Sequence, residues 1–156
     1  MDYTRSIDIP APAHSVWTIL EDVESWPTWA PTFIEVALDG VLRVGAEVGI
    51  TQPGRRPMTY RIQALEPGRR FQWGATGRAV VQWADHVVVP TGPDSCRVTL
   101  TFSMSGWLGG PLAALVSRQI RAMVDSEAES LARHAGGRND RPQASPSRAQ
   151  EPPKRH

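Results

Sequence analysis

Six strand-like segments follow one another between residues 33 and 104, and no helical pattern separates them. Each segment is a short run of alternating or apolar residues that ends at glycine, proline or aspartate. Antiparallel neighbours are joined by such tight turns, whereas parallel strands need long crossover connections. Residues 33–104 are therefore predicted to form an antiparallel meander rather than a parallel sheet.

Helical patterns flank this meander on both sides. A strand at residues 3–9 is followed by a short helix at 13–22, and then by one helical turn that carries Trp26 and Trp29. After the last strand, apolar residues recur at helical spacing, which predicts an amphipathic helix of about 25 residues. The pair Gly136-Gly137 is expected to end it, because glycine commonly stops helices.

This order predicts an α+β fold. A curved antiparallel sheet of about seven strands wraps around the long C-terminal helix, and two short helices follow the first strand. The helix covers only one face of the sheet. If the sheet curls around it, the space between them widens at one end, and an apolar cavity with a few polar groups is predicted there.

Composition divides the chain into a domain at residues 1–136 and a tail at residues 137–156. The tail contains four prolines and no aliphatic residue larger than alanine, so it is expected to be disordered. The chain has 17 Lys and Arg against 16 Asp and Glu. The net charge of +1 is the sum of +3 on the tail and −2 on the domain. Because the folded domain is mildly acidic, no nucleic-acid binding is predicted.

Neither a signal peptide nor a transmembrane run is recognisable, so a cytoplasmic location is the expectation. A single cysteine excludes an intramolecular disulfide, and the four histidines lack metal-ligand spacing. No cofactor or metal is therefore predicted. Glu127 and Glu129 fall on different faces of the last helix and are not expected to form a carboxylate pair.

Three stretches resemble the START/polyketide-cyclase superfamily, also called the SRPBCC or helix-grip fold. They read IPAPAHSVWTILEDVESWPTWAP at residues 9–31, HVVVP at 86–90 and SCRVTLTF at 95–102, and a glycine-rich start of the last helix follows. The stretch at residues 9–31 is typical of bacterial members of this superfamily that are labelled polyketide cyclase/dehydrase. The resemblance covers about residues 2–136 and implies a hydrophobic pocket for lipids, polyketides or other apolar small molecules.

The same resemblance implies that Trp26 and Trp29 lie at the mouth of the pocket. Alternation places further apolar side chains on the sheet face that looks toward the helix, where they either line the pocket or pack as core. Tyr60 is notable among them because a buried hydroxyl needs a partner. The predicted ligand-binding residues are Trp26, Trp29, Met58, Tyr60, Phe71, Trp73, Gln82, His86, Phe102, Met104, Ile120 and Met123.

His86 lies in an apolar run whose alternation leaves its orientation open. With His86 and Gln82 facing inward, they become the polar pair of the pocket; with the other face inward, Asp85 is buried at a high cost. The cost and the resemblance both favour the first arrangement. Trp83 then faces outward as a contact surface for another subunit, which makes a homodimer an expectation.

Three functions compete for this fold. The first is binding of a hydrophobic or amphipathic small molecule, lipid-like or polyketide-like, between the sheet and the helix. The second is a polyketide cyclase or aromatase reaction in the same pocket, with His86 and Tyr60 as candidate catalytic residues. The third is a protein-interaction module that uses Trp83 or the basic tail.

Overall fold

The computed structural model describes residues 1–139. Within them lie seven strands, two α-helices and one 3₁₀ helix, in the order predicted. The strands are β1 (Asp2–Ile9), β2 (Glu35–Leu38), β3 (Glu47–Thr51), β4 (Met58–Glu66), β5 (Arg70–Thr76), β6 (Val81–Gly92) and β7 (Ser95–Ser105). The helices are α1 (Ala13–Glu21), the 3₁₀ helix (Val23–Thr28) and α2 (Gly109–Asn139).

The strands form one antiparallel sheet in the order β1-β7-β6-β5-β4-β3-β2. The first strand thus pairs with the last, and the others follow as a meander. Helix α2 packs against β1 and β7, and the 3₁₀ helix packs against β2. This arrangement confirms the predicted helix-grip fold class.

Alternation along the strands decides which side chains face α2. On β6, Gln82, His86 and Val88 are buried, whereas Asp85 lies on the other face and pairs with Arg70 at 2.9 Å. The inward arrangement favoured for His86 is therefore confirmed. The expected reason was the cost of burying Asp85 without a partner. On the outer face, Asp85 forms an ion pair with Arg70 instead.

Two boundaries differ from the sequence prediction. Helix α2 continues through Gly136 and Gly137 to Asn139, and neither glycine adopts the positive φ that a glycine stop requires. Strand β6 continues past Val89, with Pro90 opposite Cys96. Residues 140–156, most of the predicted tail, lie outside the described residues.

Residues 1–139 include no helix that combines the length and the apolar character required to span a membrane.

Candidate ligand site between the sheet and helix α2

A small cavity of about 30 Å³ lies between the sheet and α2. We call it the inner cavity. Its walls include Tyr60, Trp73 and His86 from the sheet, with Met123 and Glu127 from α2. A space of this size holds roughly one water molecule.

A buried polar pair forms part of the inner cavity wall. The His86 Nε2 atom lies 3.2 Å from Glu127 Oε1, and both residues are at least nine-tenths buried. With Glu127 ionised, its carboxylate accepts a hydrogen bond from Nε2–H, which leaves the lone pair of a neutral imidazole on Nδ1. The Nδ1 atom has no hydrogen-bond partner among the described residues.

Aromatic rings hold the His86 imidazole in place. Phe71 stacks on it with a centroid distance of 4.3 Å and an interplanar angle of 15°. Trp26 and Trp73 meet it edge-on at 5.2 and 5.4 Å. These contacts restrict rotation of the ring, so the orientation of both ring nitrogens is set before any ligand arrives.

Tyr60 supplies a second polar group at the inner cavity. Burial raises the pKa of Tyr60 to about 12, and the nearby charge of Arg55 opposes part of this rise. The Tyr60 hydroxyl makes no hydrogen bond to any described residue. It is therefore a neutral O–H group that can donate to or accept from a molecule in the cavity.

An open groove of about 260 Å³ lies next to the inner cavity. We call it the outer groove. It runs between the loop after β3 and helix α2, and its lining includes Thr32, Arg55 and Gln119. Gln52 and Met123 line both spaces, and Gln52 Nε2 donates a hydrogen bond to Met123 Sδ at 3.4 Å. This contact therefore forms the junction between groove and cavity.

Five of the twelve predicted ligand-binding residues line the inner cavity, namely Tyr60, Trp73, His86, Phe102 and Met123. Phe71, Gln82, Met104 and Ile120 are buried in the core without lining it. Met58 lies at the start of β4, where it is 39% exposed and its Sδ accepts a hydrogen bond from Gln82. The four buried residues therefore pack behind the cavity wall, and Met58 lines neither the inner cavity nor the outer groove.

The structure places Trp26 in the core rather than at the mouth of the pocket. Trp26 is completely buried, and its Nε1–H donates to the Leu20 carbonyl at 3.1 Å. Its ring packs among Phe33, Phe71 and Trp73, so it is part of the core rather than the mouth. Trp29 is half-buried and stacks with His134. Trp26 turns inward because its Nε1–H donates back to α1 while its ring packs against the aromatic side chains of β5.

Glu127 is the main functional candidate that the sequence analysis missed. It was considered only as a partner for Glu129, whereas its partner is His86, 41 positions away. A signal was present, because Glu127 shares the apolar face of α2 with Ile120, Val124 and Leu131 at spacings of three, four or seven residues. A carboxylate on a buried helix face requires a polar partner across the core.

The chain matches the family described as "Polyketide cyclase / dehydrase and lipid transport" over residues 1–136. No protein of curated function matches it in sequence. Family membership supports binding of hydrophobic ligands or a cyclase-type reaction.

Solved structures share the fold at low sequence identity. The Zhui aromatase/cyclase from Streptomyces sp. R1128 superposes with a TM-score of 0.72 at 17% identity, covering 89% of this chain and 95% of that one. Norcoclaurine synthase from Thalictrum flavum gives 0.68 at 17% identity, with coverages of 92% and 89%.

The di-domain aromatase/cyclase BexL, from the BE-7585A biosynthetic pathway, gives a TM-score of 0.69 at 22% identity. The match covers 86% of this chain and 46% of BexL, so this chain spans about half of that protein. Taken with the seven-stranded sheet around α2, the match over residues 1–136 shows that the chain belongs to the polyketide cyclase/dehydrase and lipid transport family.

Proposed function

We propose that this protein binds an amphipathic, polyketide-like or lipid-like small molecule between the sheet and α2. The apolar body of the ligand occupies the outer groove, and a carbonyl or hydroxyl group enters the inner cavity. The observation that carries this proposal is the buried His86–Glu127 pair at a cavity that adjoins an open groove.

The cost of burying the pair supports a ligand role. Two polar or charged side chains in an apolar interior are often no more stabilising than hydrophobic residues of similar volume. Here the His86 member of the pair packs against Phe71, Trp73 and Trp26, so its surroundings on the sheet side are aromatic. A hydrogen bond from a polar ligand group to His86 would account for a buried pair that contributes little to stability.

The two volumes divide the ligand between the two spaces. Small-molecule pockets usually measure roughly 300–1,000 Å³. The inner cavity, at about 30 Å³, accepts only a group of the size of a water molecule, whereas the outer groove offers about 260 Å³. Entry requires the Gln52–Met123 contact to open, and both side chains are unbranched and flexible.

Anilinonaphthalene sulfonate is a suitable probe, because it combines fused rings with an anionic group. We expect its fluorescence to rise on binding, and Met123→Trp, which fills the junction, to weaken binding by about tenfold. Met58→Trp is the matched control, since Met58 also contacts a glutamine but lies away from both spaces. Equal affinity of the two variants would remove the junction from the binding site.

A second candidate function is a cyclase-type reaction with His86 as the acid–base group. In an aldol cyclisation, His86 Nδ1 takes a proton from the carbon between two carbonyls. The resulting enolate attacks a ketone carbon of the same chain to form a ring. The alkoxide oxygen then receives the proton back, so no oxidant or reductant is needed. The Nδ1 atom, which has no hydrogen-bond partner among the described residues, and the Glu127 contact at Nε2 favour this role. The reaction requires the inner cavity to widen when the Gln52–Met123 contact opens, because about 30 Å³ does not hold a carbon flanked by two carbonyls beside His86.

The cyclase candidate is tested with a synthetic triketone thioester whose cyclic aldol product loses one water molecule and enolises to a phenol. His86→Ala is expected to lower the rate of phenol formation by at least about a hundredfold. His14→Ala is the control, because His14 is exposed on α1. A His86→Ala variant that kept the full rate would exclude the catalytic role and leave the binding function intact.

A further inference from the structure

The start of α2 carries an exposed apolar surface. Trp107 is 74% exposed and Leu115 is 82% exposed, and Leu108 and Leu112 are each more than two-fifths exposed. We call these four residues the apolar ridge. Large apolar side chains this exposed and this close together in sequence indicate a contact surface rather than chance.

The ridge leads directly to the outer groove. Leu108, Leu112 and Leu115 follow one another at spacings of four and three residues, so they lie on one flank of α2. The same spacing continues to Gln119 and Ala122, which line the outer groove. One flank of the helix therefore connects the exposed apolar surface with the mouth of the proposed ligand site.

Three connections meet at this end of the sheet. Strand register brings Thr76, Val81 and Ser105 side by side, which places the turn at residues 77–80 beside the segment that leads into α2. The Leu108 N–H donates to the Ala79 carbonyl at 3.1 Å and joins the two directly. The loop at residues 52–57, which follows β3, borders the outer groove at the same end.

These connections and the first part of α2 carry unpaired positive charge. Arg55, Arg56, Arg78 and Arg118 form no ion pair with any described residue. Residues 52–57, 77–80 and 106–124 contain no aspartate or glutamate. By contrast, the arginines within the strands are paired, as in Arg97–Asp8 at 2.8 Å.

The acidic residues at this end are few. Asp2, at the start of β1, accepts a hydrogen bond from the Ser103 hydroxyl, and Glu35 lies at the start of β2. The surface around the apolar ridge is therefore positively charged, although residues 1–136 as a whole carry a net charge of −2.

We propose that the apolar ridge and its four arginines dock the protein on an anionic lipid bilayer. Tryptophan and leucine side chains insert at the boundary between head groups and acyl chains, and arginines bind the phosphates around them. If a second copy of this chain covered the ridge, the arginines of the two copies would face one another across the interface. Their mutual repulsion disfavours a dimer at this surface. The proposal goes beyond the small-molecule function and does not depend on it.

Vesicle flotation tests the proposal with the full chain. Wild-type protein is expected to float with phosphatidylcholine vesicles that contain phosphatidylglycerol, and to float far less with pure phosphatidylcholine. The Trp107→Ala/Leu115→Ala variant should partition at least about tenfold more weakly. Arg78→Gln and Arg118→Gln should each weaken it about fivefold, and high salt should act in the same direction.

Matched controls come from the connection between β2 and β3, at the other end of the sheet. Val41→Ala/Val44→Ala removes two exposed apolar side chains there, and Arg43→Gln removes an arginine that forms no ion pair with any described residue. Both controls should float as the wild type does. All variants keep residues 140–156, so differences between them report the ridge and its arginines rather than the basic tail.

Two outcomes would overturn the proposal. The first is equal flotation of the ridge variant and the wild type. The second is a wild-type dimer in light scattering that becomes monomeric in Trp107→Ala/Leu115→Ala, since the ridge would then be covered by a second copy.

Discussion

The Nε2 atom of His86 on β6 lies 3.2 Å from Oε1 of Glu127 on α2, inside a largely apolar interior. This pair is a polar link between the sheet and the helix that encloses the candidate site. Because each group is the other's partner, removing one of them leaves the second buried without compensation.

Replacing His86 alone should therefore cost more than replacing both members of the pair. We expect His86→Leu to lower the free energy of unfolding by about 3 kcal/mol, because Glu127 is left buried and unpaired. The double variant His86→Leu/Glu127→Leu should recover most of that loss. Urea denaturation of the two single variants and the double variant measures the coupling. Strictly additive effects would show that the pair does not interact in solution.

Trp26, in the 3₁₀ helix, and Trp29, directly after that helix, should differ sharply in their contribution to the free energy of unfolding. Trp26 is completely buried and donates to the Leu20 carbonyl, whereas Trp29 is half-buried. Trp26→Ala should lower the free energy of unfolding by about 3–5 kcal/mol, as expected for a large cavity in the core. Trp29→Ala serves as the control with a smaller loss. Similar denaturation midpoints for the two variants would contradict the placement of Trp26 in the core.

The alternation of apolar residues was sufficient to predict the sheet, whereas the orientation of β6 was predicted from the cost of burying Asp85 and from the family resemblance. On β6, burying His86 costs less free energy than burying Asp85. Asp85 instead pairs with Arg70 on the outer face of the sheet. Local patterns therefore predicted the element order and the inward face. They did not predict the path of the 3₁₀ segment, since the proline-flanked pattern around Trp26 is equally compatible with a surface turn and a buried one.

The candidate site was only half predictable for a related physical reason. Tyr60 and Trp73 were identified because each belongs to a strand with a clear inward face, and His86 was identified because the alternative would bury Asp85. Glu127 was missed because its role depends on a partner 41 positions away, and a single sequence does not show which elements meet. The end of α2 was misplaced because Gly136 and Gly137 keep helical φ values, although both residues commonly terminate helices.

Alkaline pH should destabilise the protein through Tyr60. Burial raises the pKa of Tyr60 from 10.0 to about 12, so the folded state favours the neutral phenol. The resulting stabilisation, at most about 3 kcal/mol, is fully present below pH 10. It is lost as the pH rises through 10 toward 12. Denaturation of the wild type and Tyr60→Phe between these pH values checks the prediction. Tyr3 is the other tyrosine and is common to both proteins, so an identical pH dependence would place the Tyr60 hydroxyl in solvent.

Opening the junction between the outer groove and the inner cavity should change the rate of ligand binding more than stability. Gln52→Ala removes the Nε2 contact to Met123 Sδ without exposing core residues, so the free energy of unfolding should change by less than about 0.5 kcal/mol. Stopped-flow mixing with anilinonaphthalene sulfonate should show a several-fold faster association, because entry no longer waits for this contact to break. Gln63→Ala is the matched control, since Gln63 accepts a hydrogen bond from Gln72 on the outer face of the sheet and lines neither space. If Gln52→Ala and Gln63→Ala bound the probe at the same rate, the Gln52–Met123 contact would not limit access, and the ligand would have to reach His86 by another route.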